Sequence, residues 1–587
     1  MLRLFVLFLC QLFATHCKVE VKLKQGVILG TTEVSVFNGR TFYAFYGVPY
    51  AQAPVGKLRF KNPVALEKST KVFDATTEYR GACAQQHIVH KHGTYGFEDC
   101  LHLNIYTPYL PIYELRTEKA VIVWIHGYAF TSGFSHIYGG DFLIDNDVIL
   151  VTLTHRISVF GFLKLNDTDN HTNMGLKDIV MGLKWIRKNI GQFGGNKDRL
   201  TVMASGSAAT FISLLMMTKF RKLFSKVILQ SGSIYSSSLF QGDPALERMK
   251  LEMAVQAAGK NLAKASANDL VAHTANIYNN KNILNVQRPL IPFMPIQENE
   301  SKRYLISKHT LPVITNLQRL TEMPIMLGFS SQESITEVLP FIHNPQYMES
   351  LKPLKFMVPF LNTCKYKYGS KKYKEVGDLI LNHYFKGGIN ENSLQNLLKY
   401  VSDLHKYPIY KFVQAYLNAT GSELFVYKFN YVGNLNAAKM TAIAGANTKI
   451  KGAAQGDEIC YILRCDPLWE NYVKLKQDRH NQDRSFITQI ANIWANFAKY
   501  GKPTPNNQNN TWLPMTKYDD NVYLFAKNNK IVDSRPERKM FEFWNDLYTK
   551  YYSNENCGKN LAVVSLSRKL PLYNLLAQAV LSCPLRE

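Results

Sequence analysis

The chain has 587 residues, 46% hydrophobic and 19% charged, which is enough to bury a large core and excludes a disordered or low-complexity polymer. Its 69 Lys and Arg against 45 Asp and Glu leave a net charge of +24, a balance that attracts anionic partners. Past the N-terminus there is no run of about eighteen apolar residues, so no membrane span is expected. The sequence also lacks an HExxH, a phosphate loop, a paired CxxC and a GxGxxG after a strand, so no metal, cofactor or nucleic-acid partner is expected.

Residues 1–17 carry Arg3, the apolar run LFVLFLCQLFA and a polar exit, the pattern of a secretory signal. An extracellular address follows, and it makes the cysteines candidates for disulfides. With Cys10 and Cys17 removed, Cys83, Cys100, Cys364, Cys460, Cys465, Cys557 and Cys583 remain, an odd set whose pairing spacing alone leaves open. The same address makes the N-x-S/T sequons at Asn166, Asn170, Asn299, Asn418 and Asn509 candidate glycosylation sites.

The stretch GVILGTTEVSVFNGRTFYAFYGVPY alternates apolar and polar residues between glycine breaks and predicts an antiparallel hairpin. AVIVWIHG and DVILVTLTHR read as strands, the second apolar throughout, as in a sheet covered on both faces. Between Met174 and Gln192, Leu176, Ile179, Val180, Leu183, Ile186 and Ile190 share one helical stripe. LTVMASGSAATFIS then predicts a buried strand over Leu200–Met203, a tight turn, and an apolar helix from about Ala208. KVILQSGS, PIMLGFSSQES and LFVYKFNY are later strands, and FITQIANIWANFAKYG is a late amphipathic helix. Such alternation implies an α/β fold, a large and mostly parallel sheet flanked by helices on both faces.

Several of these stretches together resemble the type-B carboxylesterase/cholinesterase family: YAFYGVPYAQAPVGKLRF, EDCLHLNIYTP, HRISVFGFL, FGGNKDRLTVMASGSAA and WANFAKYGKPTP. The likeness runs over about residues 25–550 and implies the α/β-hydrolase fold. The expected organisation is therefore a signal at 1–17, one hydrolase domain at 18–552, and a C-terminal extension at 553–587 with an amphipathic helix bearing Leu572, Leu575, Leu576, Ala579 and Val580. The resemblance also implies a Cys83–Cys100 disulfide and leaves the loop between them without the tryptophan that cholinesterases use to hold a quaternary ammonium.

Serine hydrolysis needs a nucleophile, a base, an acid that orients the base, and donors for the oxyanion. The family's elbow GESAG lies over Ala204–Ala208 and puts Gly206 at the nucleophile position. The acid position falls on Glu333. The family's GxxHGDEL falls on GAAQGDEI and puts Gln455 at the histidine, a side chain that cannot take a proton near neutral pH. The oxyanion motif HGGGF reads His126-Gly127-Tyr128-Ala129-Phe130, so two of its glycines are replaced. No other histidine lies between His405 and His480 to supply an imidazole locally. These positions therefore read as vestigial. The expectation is a secreted, catalytically inactive carboxylesterase-like protein that works by binding an extracellular protein, matrix or cell-surface partner, in the manner of neuroligin-, neurotactin- or glutactin-type relatives. One alternative is a carrier of a small apolar ligand. Another is a carboxylic ester hydrolase with an atypical site that uses Ser207.

Two clusters stand outside this site. His87, His90 and His92 lie in the loop between Cys83 and Cys100 and read as surface histidines rather than metal ligands. Lys365, Lys367, Lys371, Lys372 and Lys374 alternate with tyrosines in CKYKYGSKKYKE, a candidate polyanion-binding stretch for a sulfated glycan, set against the plain alternative of a solvated basic face. The C-terminal helix, with Cys583 on the same face, is expected either to pack back on its own domain or to bind a partner as a route to a dimer, and a Cys557–Cys583 pairing would serve either case.

Overall fold

The structure is a computed structural model. It describes residues 18–553 except 78–80, 87–93, 114–116, 167, 169, 238, 240–243, 276, 278–290, 299–304, 307–321, 353–354, 361–365 and 506–510. The signal, the C-terminal extension, the histidines of the 87–92 loop, Asn299, Asn509, Cys364 and Lys365 lie outside the described residues.

Thirteen strands form one sheet: β1 (Val19–Leu23), β2 (Gly26–Val34), β3 (Thr41–Pro49), β4 (Val72–Asp74), β5 (His102–Thr107), β6 (Lys119–Ile125), β7 (Ile149–Leu153), β8 (Gly195–Ser205), β9 (Lys226–Gln230), β10 (Ile325–Ser330), β11 (Phe425–Phe429), β12 (Asn521–Phe525) and β13 (Lys530–Asp533). Their spatial order is β1-β2-β3-β5-β7-β6-β8-β9-β10-β11-β12-β13, with β4 beside β2. From β7 to β12 every neighbouring pair is parallel. The opening strands β1, β2 and β3 are antiparallel, as the alternating N-terminal text predicts.

The apolar strand runs have the expected cause. In β6, Val121, Val123 and Ile125 enter one hydrophobic cluster while Ile122 and Trp124 enter the other. Both faces of the sheet are therefore covered, and no face of these strands is left to be polar.

Six of the helices carry the argument below: α1 (Met174–Asn189), α2 (Ser207–Leu215), α3 (Lys371–Tyr384), α4 (Leu394–Thr420), α5 (Gln482–Tyr500) and α6 (Arg535–Leu547). The α1 stripe packs Leu176, Ile179, Leu183 and Ile186 into the core, and a short 3₁₀ turn then carries the chain to Phe193. Among the described residues no helix is long and apolar enough to cross a membrane.

Among the described residues two disulfides are present, Cys83–Cys100 and Cys460–Cys465. The first is the one the resemblance implies. The second closes a short loop just after Gln455, a pairing the odd cysteine set left unresolved.

Candidate active site

The site is built where β8 ends and α2 begins. β8 runs on to Ser205, two residues past the expected Met203, and α2 starts at Ser207 rather than Ala208. Only Gly206 is left to make the turn, with φ 55° and ψ −122°. L-residues avoid that conformation and glycine does not. The Gly206 N–H donates to the Gln230 carbonyl at 2.8 Å, fixing the turn to the end of β9.

A Cβ at position 206 would lie 2.5 Å from the Gly127 carbonyl oxygen and 3.7 Å from Gln455 Nε2. The structure thus places residues 206 and 455 side by side, as nucleophile and base positions would be. It also puts a carbonyl where a nucleophile's side chain would begin. Gly127 cannot easily retreat, because its own Cβ position is 2.4 Å from the Ala208 nitrogen.

The oxyanion segment has become a tight turn. Thr131 N–H donates to the Tyr128 carbonyl (3.0 Å), and Tyr128 N–H donates to the Ser132 carbonyl (3.1 Å). Its central residues Ala129 and Phe130 hold φ of 50° and 60°, a hand that turns usually give to Asn-Gly or Gly-Gly. Phe130 N–H donates to Ser207 Oγ at 3.0 Å, and the Phe130 carbonyl accepts from Ser158 N–H at 2.7 Å. Two of the segment's backbone donors are therefore engaged within the protein. Tyr128 remains 39% exposed overall, while its hydroxyl is buried toward Glu337 and Thr336; that burial, with the Glu337 carboxylate, pushes its pKa up to about 12. The strain lies at Ala129 and Phe130.

Glu333 sits fully buried in the loop after β10. Its Oε1 accepts from Ser231 Oγ at 2.7 Å and from the Ser330 N–H, while Oε2 is buried without a hydrogen-bond partner. Burial raises its pKa, against the opposing pull of His405. Gln455 does not satisfy it, for its Nε2 donates to the Ser231 carbonyl at 3.4 Å. Ser231, itself held at φ 55°, is a member of the site that sequence reading missed. The signal was the serine directly after the β9 run, in LQSGS.

The imidazole that α4 brings toward Glu333 is that of His405. Its Nε2 lies 2.7 Å from Glu337 Oε1. Burial alone would lower its pKa, but the carboxylates of Glu337 and Glu333 raise it to about 9. It is a cation at neutral pH and so not a base. Beneath the oxyanion turn, His126 stacks on His155 with ring centroids 4.5 Å apart. Burial lowers the pKa of both, that of His155 to about 3. Glu458, three residues after Gln455, accepts from Gln230 Nε2 at 3.2 Å, and burial lifts its pKa to about 8. Among the described residues no group of three His, Cys, Asp or Glu could hold a metal ion.

The fold and the elbow together define an α/β-hydrolase. The chain belongs to the carboxylesterase family, whose pattern matches residues 18–544. It is 28% identical over 518 residues to juvenile hormone esterase of Tribolium castaneum, covering 84% of this chain and 85% of that one. It is 29% identical over 532 residues to esterase E4 of Myzus persicae, covering 86% and 91%. The crystal structure of juvenile hormone esterase from Manduca sexta, with OTFP covalently attached, matches with a TM-score of 0.73 at 22% identity, over 91% of this chain and all of the other. That likeness shows the α/β-hydrolase fold.

These findings overturn one expectation. The relatives are named esterases, which points to carboxylesterase activity and away from an inactive protein acting by binding an adhesion or matrix partner. Substituted positions at an elbow do not by themselves define a binding role. The likenesses show the family, and the neuroligin-, neurotactin- or glutactin-type subgroup is not part of what they show.

Proposed function

We propose that this chain acts on carboxylic esters as a hydrolase with an atypical active site, in which Ser207 supplies the hydroxyl. The observation that carries this reading is the placement of Ser207. It is the first residue of α2, immediately after the elbow glycine, and its Oγ accepts the Phe130 N–H at 3.0 Å. A backbone donor and a helix N-terminus both favour an oxyanion on that atom. Residues 206 and 455 take no chemical step here, since glycine has no nucleophile and an amide takes no proton. The Ser207 proton leaves through water, so turnover is slow. In a serine protease, losing the triad leaves about 10³–10⁴-fold over water from binding and an intact oxyanion site, and with the Tyr128 and Phe130 N–H groups engaged here the rate is expected below that scale.

A second reading is favoured by the loss of both the nucleophile and the base at the elbow: a carrier that holds a small apolar ligand, an ester included, without cleaving it. In either case the protein acts outside the cell. That location is supported by the signal-like N-terminus, by the disulfides, and by sequon asparagines Asn166, Asn170 and Asn418, which are exposed.

The test is p-nitrophenyl butyrate hydrolysis by the purified protein, with fluorophosphonate labelling mapped by peptide mass spectrometry. Hydrolysis above a heat-treated control, lost in Ser207→Ala, supports the first reading. No turnover, no label and an intact ester retained in native mass spectrometry would replace it with the carrier.

A further inference from the structure

The basic stretch before and within α3 is the strongest feature that the site does not absorb. Its lysines and tyrosines alternate in sequence, yet the fold sorts them into two sets. Tyr373 is 6% exposed and lies 4.6 Å from Phe356 and 5.2 Å from Tyr368, ring to ring. The Tyr366 hydroxyl donates to the Tyr551 carbonyl, and its ring lies 5.4 Å from that of Tyr552. The tyrosines thus clamp the segment to the turn that follows α6. Lys367, Lys371, Lys372 and Lys374 are left exposed on that rigid base.

These four lysines outnumber the two carboxylates beside them on α3, Glu375 and Asp378. Among the described residues none of them has a carboxylate within ion-pair distance, whereas lysines on neighbouring elements do: Lys399 pairs with Asp403, and Lys428 with Glu537. Lys372 does face a ring, its Nζ 5.7 Å from the Tyr366 centroid. Three of the four stand in the first turn of α3, which holds no acidic residue. Acidic side chains are the ones stabilised at that end of a helix, so the lysines there add to the dipole's positive field instead of cancelling it. An arrangement that costs the isolated helix stability becomes favourable once an anion is bound.

We propose that Lys367, Lys371, Lys372 and Lys374 form a docking surface for a sulfated glycan. The inward tyrosines decide against two other polyanions. Single-stranded nucleic acid is held by aromatic faces on which bases stack, and here Tyr373 is buried while Tyr366 and Tyr368 are half-buried against Tyr552 and Tyr373, so no ring stands open for a base. A lipid surface is held by basic groups flanked by apolar side chains that insert, and on α3 only Leu379 is a large exposed apolar residue, at 39%. What remains is point charge on a stiff scaffold, which suits a linear polymer that offers charge alone. The two disulfides agree with an oxidising, extracellular setting, where such glycans are met.

The experiment is salt elution from heparin, with the full-length secreted protein. Wild type is expected to stay bound at physiological salt. Changing Lys367, Lys371, Lys372 and Lys374 together to Ala should flatten the slope of log affinity against log salt by about three, on a scale of roughly 0.7–0.9 per lost contact, and weaken binding by about tenfold or more. The melting temperature should stay unchanged, since exposed lysines contribute little to stability. The control is an equal loss of charge elsewhere, at the exposed Lys24, Lys57, Lys68 and Lys71. An equal shift from the control set overturns the proposal and leaves only diffuse charge. Tighter binding to an oligo-dT of matched charge, or to phosphatidylserine vesicles, overturns the assignment to a glycan. Ester hydrolysis should be the same in all these proteins, so this test stands apart from that of the active site.

Discussion

Gly206→Ala is the substitution that best probes how the site is built. The magnitude has two parts. The φ/ψ pair of 55° and −122° is one that L-residues adopt at a cost of order 1–3 kcal/mol. The added Cβ also meets the Gly127 carbonyl oxygen at 2.5 Å, a backbone atom that cannot rotate away. Moving Gly127 drives it toward Ala208 or pulls on the strained turn behind it, so we expect a further 1–2 kcal/mol or so, the usual scale for overpacking. Gly259→Ala is the comparison for a positive φ without a clash, because Gly259 has φ 74° and nothing within 4 Å of its Cβ position. The assay is thermal melting of both variants beside wild type, with urea midpoints as a second measure. Gly206→Ala should lose about 2–5 kcal/mol and Gly259→Ala about 1–2 kcal/mol. Equal losses would refute the claim that the Gly127 carbonyl occupies the nucleophile's space, and a stabilised Gly206→Ala would refute the elbow geometry itself.

Restoring Gly206→Ser with Gln455→His should still give little esterase gain, because the carbonyl of Gly127 and the engaged N–H of Tyr128 remain. Adding Tyr128→Gly and Ala129→Gly should raise kcat/KM by a further ~10²–10³, the value of an oxyanion donor; a double variant as active as the quadruple would count against the role given to the turn. The pKa of His405 is raised in the fold to about 9 from 6.5. The stability it contributes is therefore fully present below about pH 6.5 and lost as pH rises through about 9. Burial raises Glu458 from 4.5 to about 8, so its contribution is present below about pH 4.5 and lost as pH rises through about 8. Melting should fall on the alkaline side, and His405→Gln or Glu458→Gln should each flatten that fall; an unchanged slope in both would be the contrary result. Breaking Cys83–Cys100 by paired Ser substitutions should cost about 3 kcal/mol and breaking Cys460–Cys465 about 2 kcal/mol, following the lengths of the loops they close. Peptide mapping without reductant should find both bridges.

Much of the sheet was legible because fully covered parallel strands leave continuous apolar runs, and AVIVWIHG and DVILVTLTHR are such runs. The elbow was legible because its neighbours must be small: Ala204 and Ala208 stand where helix and strand approach closely. Other features depend on contacts that one sequence does not display. Nothing in YAFTS announces that Ala129 and Phe130 sit at positive φ, since both are poor choices for it and hydrogen bonds involving Thr131, Ser132, Ser158 and Ser207 hold them there. The Ser231–Glu333 pair joins residues 102 apart. The tyrosines of the basic stretch looked as available as its lysines, and only the fold turns them inward.

The substitutions at the site fit together as one unit and not as separate losses. A serine at 206 needs Gly127 to stand off, and a carbonyl this close is tolerated only because residue 206 has no Cβ. The turn that brings Gly127 in is in turn held by Ser207 Oγ, through Phe130 N–H, so the hydroxyl next to the elbow is both the pin of the turn and the group proposed to react. That double use has a consequence for chemistry. When Ser207 Oγ bonds to an acyl carbon it loses acceptor strength, and the Phe130 N–H becomes free to turn toward the new oxyanion. The donor that stabilises the resting serine would then stabilise the tetrahedral intermediate, at the cost of loosening a turn whose two central residues are already strained. On that proposal, slow turnover and a yielding oxyanion segment would have the same cause, the Phe130 N–H to Ser207 Oγ hydrogen bond.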